Sequence, residues 1–150
     1  RIHSLGGVIF GDDVELGANS CVDAGTIRAT QVGRGTKIDN NVMVGHNCII
    51  GEDCILCGQA AMAGSGVLGD RVVMGGKAAT KDHITVGNDV VMAGASGLYV
   101  DTKDGMFVMG LPAMDLPSYR AREKGLRRLP QLLKDFAALQ KLVPKDGASD

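Results

Sequence analysis

Taking every sixth residue from Val32 gives Val32, Ile38, Val44, Ile50, Leu56, Met62, Leu68, Met74, Thr80, Val86, Met92 and Leu98. All are aliphatic or Met except Thr80. The next residue is most often glycine (Gly33, Gly45, Gly51, Gly69, Gly75, Gly87), and two positions earlier sits a small or β-branched residue such as Thr36, Val42, Cys48, Cys54 or Ala60. Helices repeat their apolar positions at 3.6 residues and one-sided strands at 2.0, so neither element explains this pattern. A sustained short period is a repeat and must be read before single elements. Six residues are too few for a hairpin. The pattern predicts a parallel β-helix with one short strand per hexapeptide, three strands per coil, one aliphatic residue per side pointing inward and glycine-rich corners. The period is already running at Phe10-Gly11, Leu16-Gly17 and Val22-Asp23. Ten residues then separate Val22 from Val32, which places an insertion of about four residues between Ala24 and Gln31, expected to bulge out as a loop. About five coils stacked ~4.8 Å apart make a prism roughly 25 Å tall.

Beyond Leu98 the pattern breaks at Asp101-Thr102-Lys103-Asp104-Gly105, and Met106 to Met109 returns as a short apolar strand. From Pro117 the chain is expected to be helical, with a basic segment, Tyr119 to Arg128, interrupted by Gly125. Pro130 suits the first turn of a helix and is read as opening a second one through Val143, ended by Pro144 and Gly147. Its apolar residues Leu132, Leu133, Phe136, Leu139, Leu142 and Val143 follow helical spacing, and that face is expected to pack against the prism or a symmetry mate. The chain thus reads as a β-helix domain over residues 1–113 and a helical extension over 114–150.

Composition narrows the picture. Apolar residues make up 45%, yet aromatics only 3% with no Trp, which suits a narrow layered interior. No apolar run approaches the ~20 residues of a membrane span, the opening Arg1-Ile2-His3-Ser4 is not a secretory leader, and a domain upstream of the repeat is expected. The net charge of −1 hides an asymmetry: Ser118 to Lys145 carries +6, leaving −7 elsewhere. A basic tail on an acidic body points to an acidic partner. It does not point to nucleic acid, because no aromatics interleave the basic residues to stack on bases. Cys54-x-x-Cys57 has metal-ligand spacing, but Cys48 and Cys54 fall on the small interior positions, where a free thiol packs as a small hydrophobe. No metal site is expected, and reduced thiols fit a cytoplasmic location.

The period also works as a ruler, since residues 18 apart lie one above another. His46, Gly64 and Asp82 then form one column, and His83 lies one residue off it, with its backbone about 10 Å from that of His46. His3 falls out of register, which argues against a three-histidine metal site. His46 beneath Gly64 puts a general base beside a backbone N–H that no side chain obstructs, the pair that acyl transfer to an amine or hydroxyl requires. Nucleophile elbow, phosphate loop and dinucleotide fingerprint are all missing from the sequence.

Val22-Asp23-x-Gly25, Lys37-Ile38-Asp39-Asn40, Gly45-His46-Asn47, Met62-Ala63-Gly64-Ser65, Gly75-Gly76 and Asp82-His83-Ile84, in that order and spacing, resemble the UDP-3-O-acylglucosamine N-acyltransferase family of lipid A biosynthesis. Leu126-Arg127-Arg128-Leu129-Pro130-Gln131-Leu132-Leu133 is similar to that family's C-terminal helices. The resemblance implies a homotrimer of left-handed β-helices with active sites between neighbours. It also implies transfer of a 3-hydroxyacyl group from the phosphopantetheine thioester of acyl carrier protein to the 2-amine of a UDP-glucosamine acceptor, with no permanently bound cofactor. Position by position, His46 would be the base and Gly64 the oxyanion donor. Asp39 and Asn40 would orient base or sugar, and His83 would assist in the donor groove. Arg120, Arg122, Lys124, Arg127 and Arg128 would meet the carrier protein. The chain departs from the family at Ala24, Met43 and Asp82, and the family's N-terminal uridine-gripping domain is expected to lie outside these 150 residues. Rival readings are an acetyl-CoA-dependent hexapeptide acetyltransferase and an inactive trimeric scaffold.

Overall fold

The computed structural model describes residues 5–110 and 115–142, so His3 and the expected helix end at Val143, Pro144 and Gly147 lie outside the described residues. The chain forms two compact units, Arg1–Pro112 and Ala113–Asp150.

Among the described residues of the first unit, sixteen short strands form three parallel sheets of five, six and five strands. The first face runs through Val8–Phe10, Thr30–Val32, Ile49–Ile50, Val67–Leu68 and Thr85–Val86. The second takes Glu15–Leu16, Lys37–Ile38, Ile55–Leu56, Val73–Met74, Val91–Met92 and Phe107–Val108. The third takes Cys21–Val22, Met43–Val44, Ala61–Met62, Ala79–Thr80 and Gly97–Leu98. Consecutive strands never pair; each pairs with the strand one coil away. This is a parallel β-helix of between five and six coils, slightly taller than the sequence count. Most coils hold 18 residues, as in Leu56 opposite Met74. Glu15 lies opposite Lys37, so this coil is four residues longer than most, which confirms the insertion. Val91 opposite Phe107 makes the last coil two residues short.

All twelve residues of the six-period column are buried, Thr80 included. So are the residues two before them, from Thr30 and Thr36 to Val90 and Ser96. Each side therefore sends two residues inward, one aliphatic and one small or β-branched, as the interior placement of Cys48 and Cys54 implied. The small ones lie where the chain bends, and several bind the neighbouring coil. The Thr36 hydroxyl donates to the Gly51 carbonyl at 2.9 Å and accepts the Cys54 N–H at 3.1 Å, while the Cys48 and Cys54 thiols donate to the Ala63 and Gly69 carbonyls. Burial pushes both thiols up from their ordinary pKa, as expected for packing residues.

The corners correct a second expectation. The turn lies one residue beyond the glycine, and its left-handed position is held mostly by non-glycine residues, Asn47 (φ 60°), Ser65 (61°), Arg71 (56°) and His83 (57°) among them, with glycine there at Gly35 and Gly105. The repeat glycines are needed for space instead. A Cβ on Gly51 would stand 2.5 Å from the Gly69 carbonyl oxygen, and one on Gly69 2.6 Å from Asn88 Oδ1. Nor does the insertion bulge freely, since Gly25 is buried and its N–H, like that of Thr30, donates to the Gly7 carbonyl.

The second unit is described by one helix, Leu116–Leu142, where the sequence predicts two. Asp115 caps it, its carboxylate accepting the Ser118 N–H at 3.0 Å, and the Ser118 hydroxyl first, then this N–H, hold the Asp115 carboxyl below its usual range. Pro117 sits in the first turn, where its missing N–H costs nothing, and Pro130 lies inside the helix. Leu132, Leu133, Phe136 and Leu139 are all exposed on this helix.

Candidate active site at the third corner

At the corner that follows the first face, three successive turns are capped by the coil above. Asp70 Oδ1 accepts the Glu52 N–H at 2.9 Å, Asn88 Oδ1 that of Asp70 at 2.8 Å, and Asp104 Oδ1 that of Asn88 at 2.8 Å. A hexapeptide corner leaves this N–H without a main-chain partner, and a short polar side chain one coil higher supplies the acceptor.

The corner that follows the third face is built differently. Its column is His46, Gly64 and Asp82, as the ruler requires. Gly64 has no side chain to cap His46, and the space is taken by the His46 ring. A Cβ built on Gly64 would stand 2.7 Å from Cε1, 2.8 Å from Nε2 and 3.1 Å from Nδ1. The ring therefore lies across the face of Gly64, exposed on its other side. Among the described residues the Gly64 N–H has no acceptor, while its carbonyl accepts the His83 N–H at 3.2 Å. An imidazole beside an unpaired backbone N–H can remove a proton and stabilise a developing oxyanion.

His83 stands in the neighbouring column, below which lie Ser65 and Asn47, all three at left-handed turn positions. Its Nε2 is 4.0 Å from Asp82 Oδ2, an exposed contact. Asp39 and Asn40 lie at the preceding corner, beside Gly58, Gln59, Gly76 and Lys77. Both side chains brace coils: Asp39 Oδ2 accepts the Gly58 N–H at 3.0 Å, and Asn40 Oδ1 the Ala18 N–H at 2.7 Å. Within one chain neither bonds to His46. On the helix, Arg120, Lys124, Arg127 and Arg128 share one face by their spacing. Arg122 points elsewhere, its guanidinium 5.2 Å from the Tyr119 ring centre. No group of three or more His, Cys, Asp or Glu able to hold a metal occurs among the described residues.

What sequence reading missed is Asn47. Its amide Nδ2 lies 3.1 Å from His46 Nδ1. The available signal was an asparagine directly after the candidate base, at a turn position that favours it.

The bacterial transferase hexapeptide family (six repeats) matches residues 29–64. The UDP-3-O-acylglucosamine N-acyltransferase of Ruegeria pomeroyi is 49% identical over 150 residues, covering 100% of this chain and 41% of that protein. The Methylococcus capsulatus protein of the same name is 39% identical over the same span, with 42% of it covered. The chain thus spans about two fifths of the length of these relatives. Among solved structures, a histidine-to-asparagine mutant of perosamine N-acetyltransferase from Caulobacter crescentus, in complex with CoA and GDP-perosamine, aligns with a TM-score of 0.55 at 28% identity. It covers 73% of this chain and 53% of that one. LpxA from Acinetobacter baumannii aligns with a TM-score of 0.67 at 21% identity, over 99% of this chain and 64% of that one. The fold is of the left-handed parallel β-helix class, with the transferase hexapeptide repeat matched over residues 29–64. Within that class it is a relative of the UDP-3-O-acylglucosamine N-acyltransferases, matching the C-terminal part of those proteins along its entire length.

Proposed function

We propose that this chain is the acyl-transfer region of an N-acyltransferase that moves a 3-hydroxyacyl group from acyl carrier protein to the 2-amine of UDP-3-O-acylglucosamine, in lipid A biosynthesis. One observation carries the reading: the His46 ring occupies the space of the missing Gly64 side chain, beside an unpaired N–H. The amine nitrogen attacks the thioester carbonyl, and the carbonyl oxygen takes negative charge against the Gly64 N–H. His46 accepts the amine proton. When the intermediate collapses, the C–S bond breaks, the amide forms, and the proton passes to the departing phosphopantetheine sulfur. No permanently bound cofactor is needed.

Asp39 and Asn40 serve the acceptor sugar in this scheme, from a neighbouring subunit of a homotrimer, because their own corner is not that of His46. His83 lies along the same edge as His46 and serves the donor groove. Arg120, Arg122, Lys124, Arg127 and Arg128 offer positive charge to the acidic carrier protein. No helix among the described residues is long and apolar enough to cross a membrane, and the reaction is assigned to the cytoplasm.

A second reading, acetyl transfer from acetyl-CoA, is favoured by the likeness to perosamine N-acetyltransferase, whose structure holds CoA. Offering the chain a 3-hydroxyacyl carrier protein and acetyl-CoA in parallel, each with the UDP sugar, separates the two. Amide formation from the carrier thioester is expected. Turnover with acetyl-CoA alone overturns the first reading, and turnover with neither favours a scaffold without activity.

A further inference from the structure

Asn47 joins two parts of the molecule that the reaction scheme treats separately. Its backbone sits at the left-handed turn position, and its N–H donates to the hydroxyl of the fully buried Thr30 at 2.9 Å. Its half-buried side chain reaches into the inserted loop, where Oδ1 accepts the Thr26 N–H at 2.7 Å and the Thr26 hydroxyl at 3.2 Å. Nδ2 lies 3.1 Å from Thr26 Oγ1 and 3.1 Å from His46 Nδ1. A Cβ on Gly25 would come within 3.0 Å of the same Oδ1, so the loop closes tightly over the amide.

These contacts fix the amide's orientation. A backbone N–H can only donate, so the end facing the Thr26 N–H is the oxygen. The end facing the ring is then the NH2 group, which also can only donate. His46 Nδ1 must therefore offer its lone pair, and the neutral ring carries its proton on Nε2. We propose that Asn47 is a positioning residue that links the inserted loop to His46 and decides which ring nitrogen is free to accept a proton.

The inference rests on His46 acting in proton transfer. In the resting arrangement Nε2 is a donor, and the basic lone pair is turned toward Asn47. Moving the ring proton to Nδ1 frees Nε2 but sets two donors against each other. One hydrogen bond of ordinary strength biases the ring toward Nε2–H roughly fivefold or more. Displacing the loop at Thr26 releases Oδ1, lets the amide turn its oxygen to Nδ1–H and removes that bias. Occupation of the loop by a substrate would thus ready the base.

The test is spectroscopic and needs no turnover, so it stands or falls apart from the acyl-transfer reading. Long-range proton–nitrogen spectra of the 15N-labelled chain at alkaline pH report the tautomer of His46. Nε2–H is expected in the wild type. Asn47→Asp keeps one oxygen for the Thr26 N–H and offers the other to the ring, and it is expected to switch His46 to Nδ1–H. Independently, Asn47→Ala is expected to speed hydrogen exchange of the Thr26 amide at least tenfold. The same His46 tautomer in wild type and Asn47→Asp, or unchanged Thr26 exchange in Asn47→Ala, would overturn the proposal. The exchange measurement decides the loop link even where the Asp variant does not fold.

Discussion

Gly64 and His46 are complementary in volume: the ring occupies the place where any other residue would carry its Cβ. Gly64→Ala leaves the backbone free to keep its angles, because Gly64 does not adopt the left-handed region, so the variant should fold but push the ring aside. Misplacement of a reacting group by about 1 Å costs on the order of 10²-fold in rate. Steady-state turnover of Gly64→Ala should fall by about that factor while its circular dichroism stays that of the wild type. Thr80 carries the opposite kind of prediction. It is the lone polar residue of the aliphatic column, and its buried hydroxyl has no hydrogen-bond partner among the described residues. Thr80→Val keeps the shape and removes the unsatisfied group, so it should stabilise the chain by ~1 kcal/mol in urea unfolding. The thiols follow burial as well. Exposed Cys21 should be alkylated in the native protein, while Cys48 and Cys54, buried and with raised pKa, should react only on unfolding.

At the scale of elements, the β-helix was legible because it is a steric repeat. One buried aliphatic residue every six positions, with a glycine after it, leaves a trace in a single sequence. Even the four-residue insertion could be counted. The reason for the glycines was not legible, since a glycine needed for φ and one needed for clearance look alike in a sequence. Only the stacked coils reveal that Gly51 and Gly69 are crowded by the coil above while non-glycine residues hold most of the left-handed corners. The helix failed for a different reason. Pro130 has the composition of a helix start, yet good helix formers flank it and Asp115 supplies a cap, so the chain stays helical across it. An interior proline loses a hydrogen bond and crowds the preceding turn, costing about 3 kcal/mol. Pro130→Ala should therefore raise the thermal stability of the helical signal without altering the β-sheet signal. The site was half legible: the ruler brought His46 under Gly64, but a tautomer set by Thr26 through Asn47 depends on contacts across coils that no spacing reports.

For the molecule as a whole, charge is divided between the units, with the helix basic and the remainder acidic. Binding of an acidic carrier protein through that helix should weaken steeply with added salt, as long-range steering does. The coil edges bear exposed ion pairs of small value, among them Arg71 with Asp89 at 2.6 Å. The Arg71 hydrogen bond holds the Asp89 carboxyl below its ordinary value. Its stabilisation is therefore present above the unfolded-state pKa and is lost as pH falls through the lower, folded-state one. Asp89→Asn should flatten the acid limb of the urea midpoint against pH only slightly, both side chains being more than half exposed.

The central claim is that His46 takes the proton of an attacking amine at this corner. Its most direct measurement is the rate of free-thiol release from 3-hydroxyacyl carrier protein upon addition of UDP-3-O-acylglucosamine, comparing wild type with His46→Ala at equal β-sheet content. Loss of the base should lower that rate by roughly 10²–10⁴-fold. An unchanged rate in His46→Ala would contradict the account.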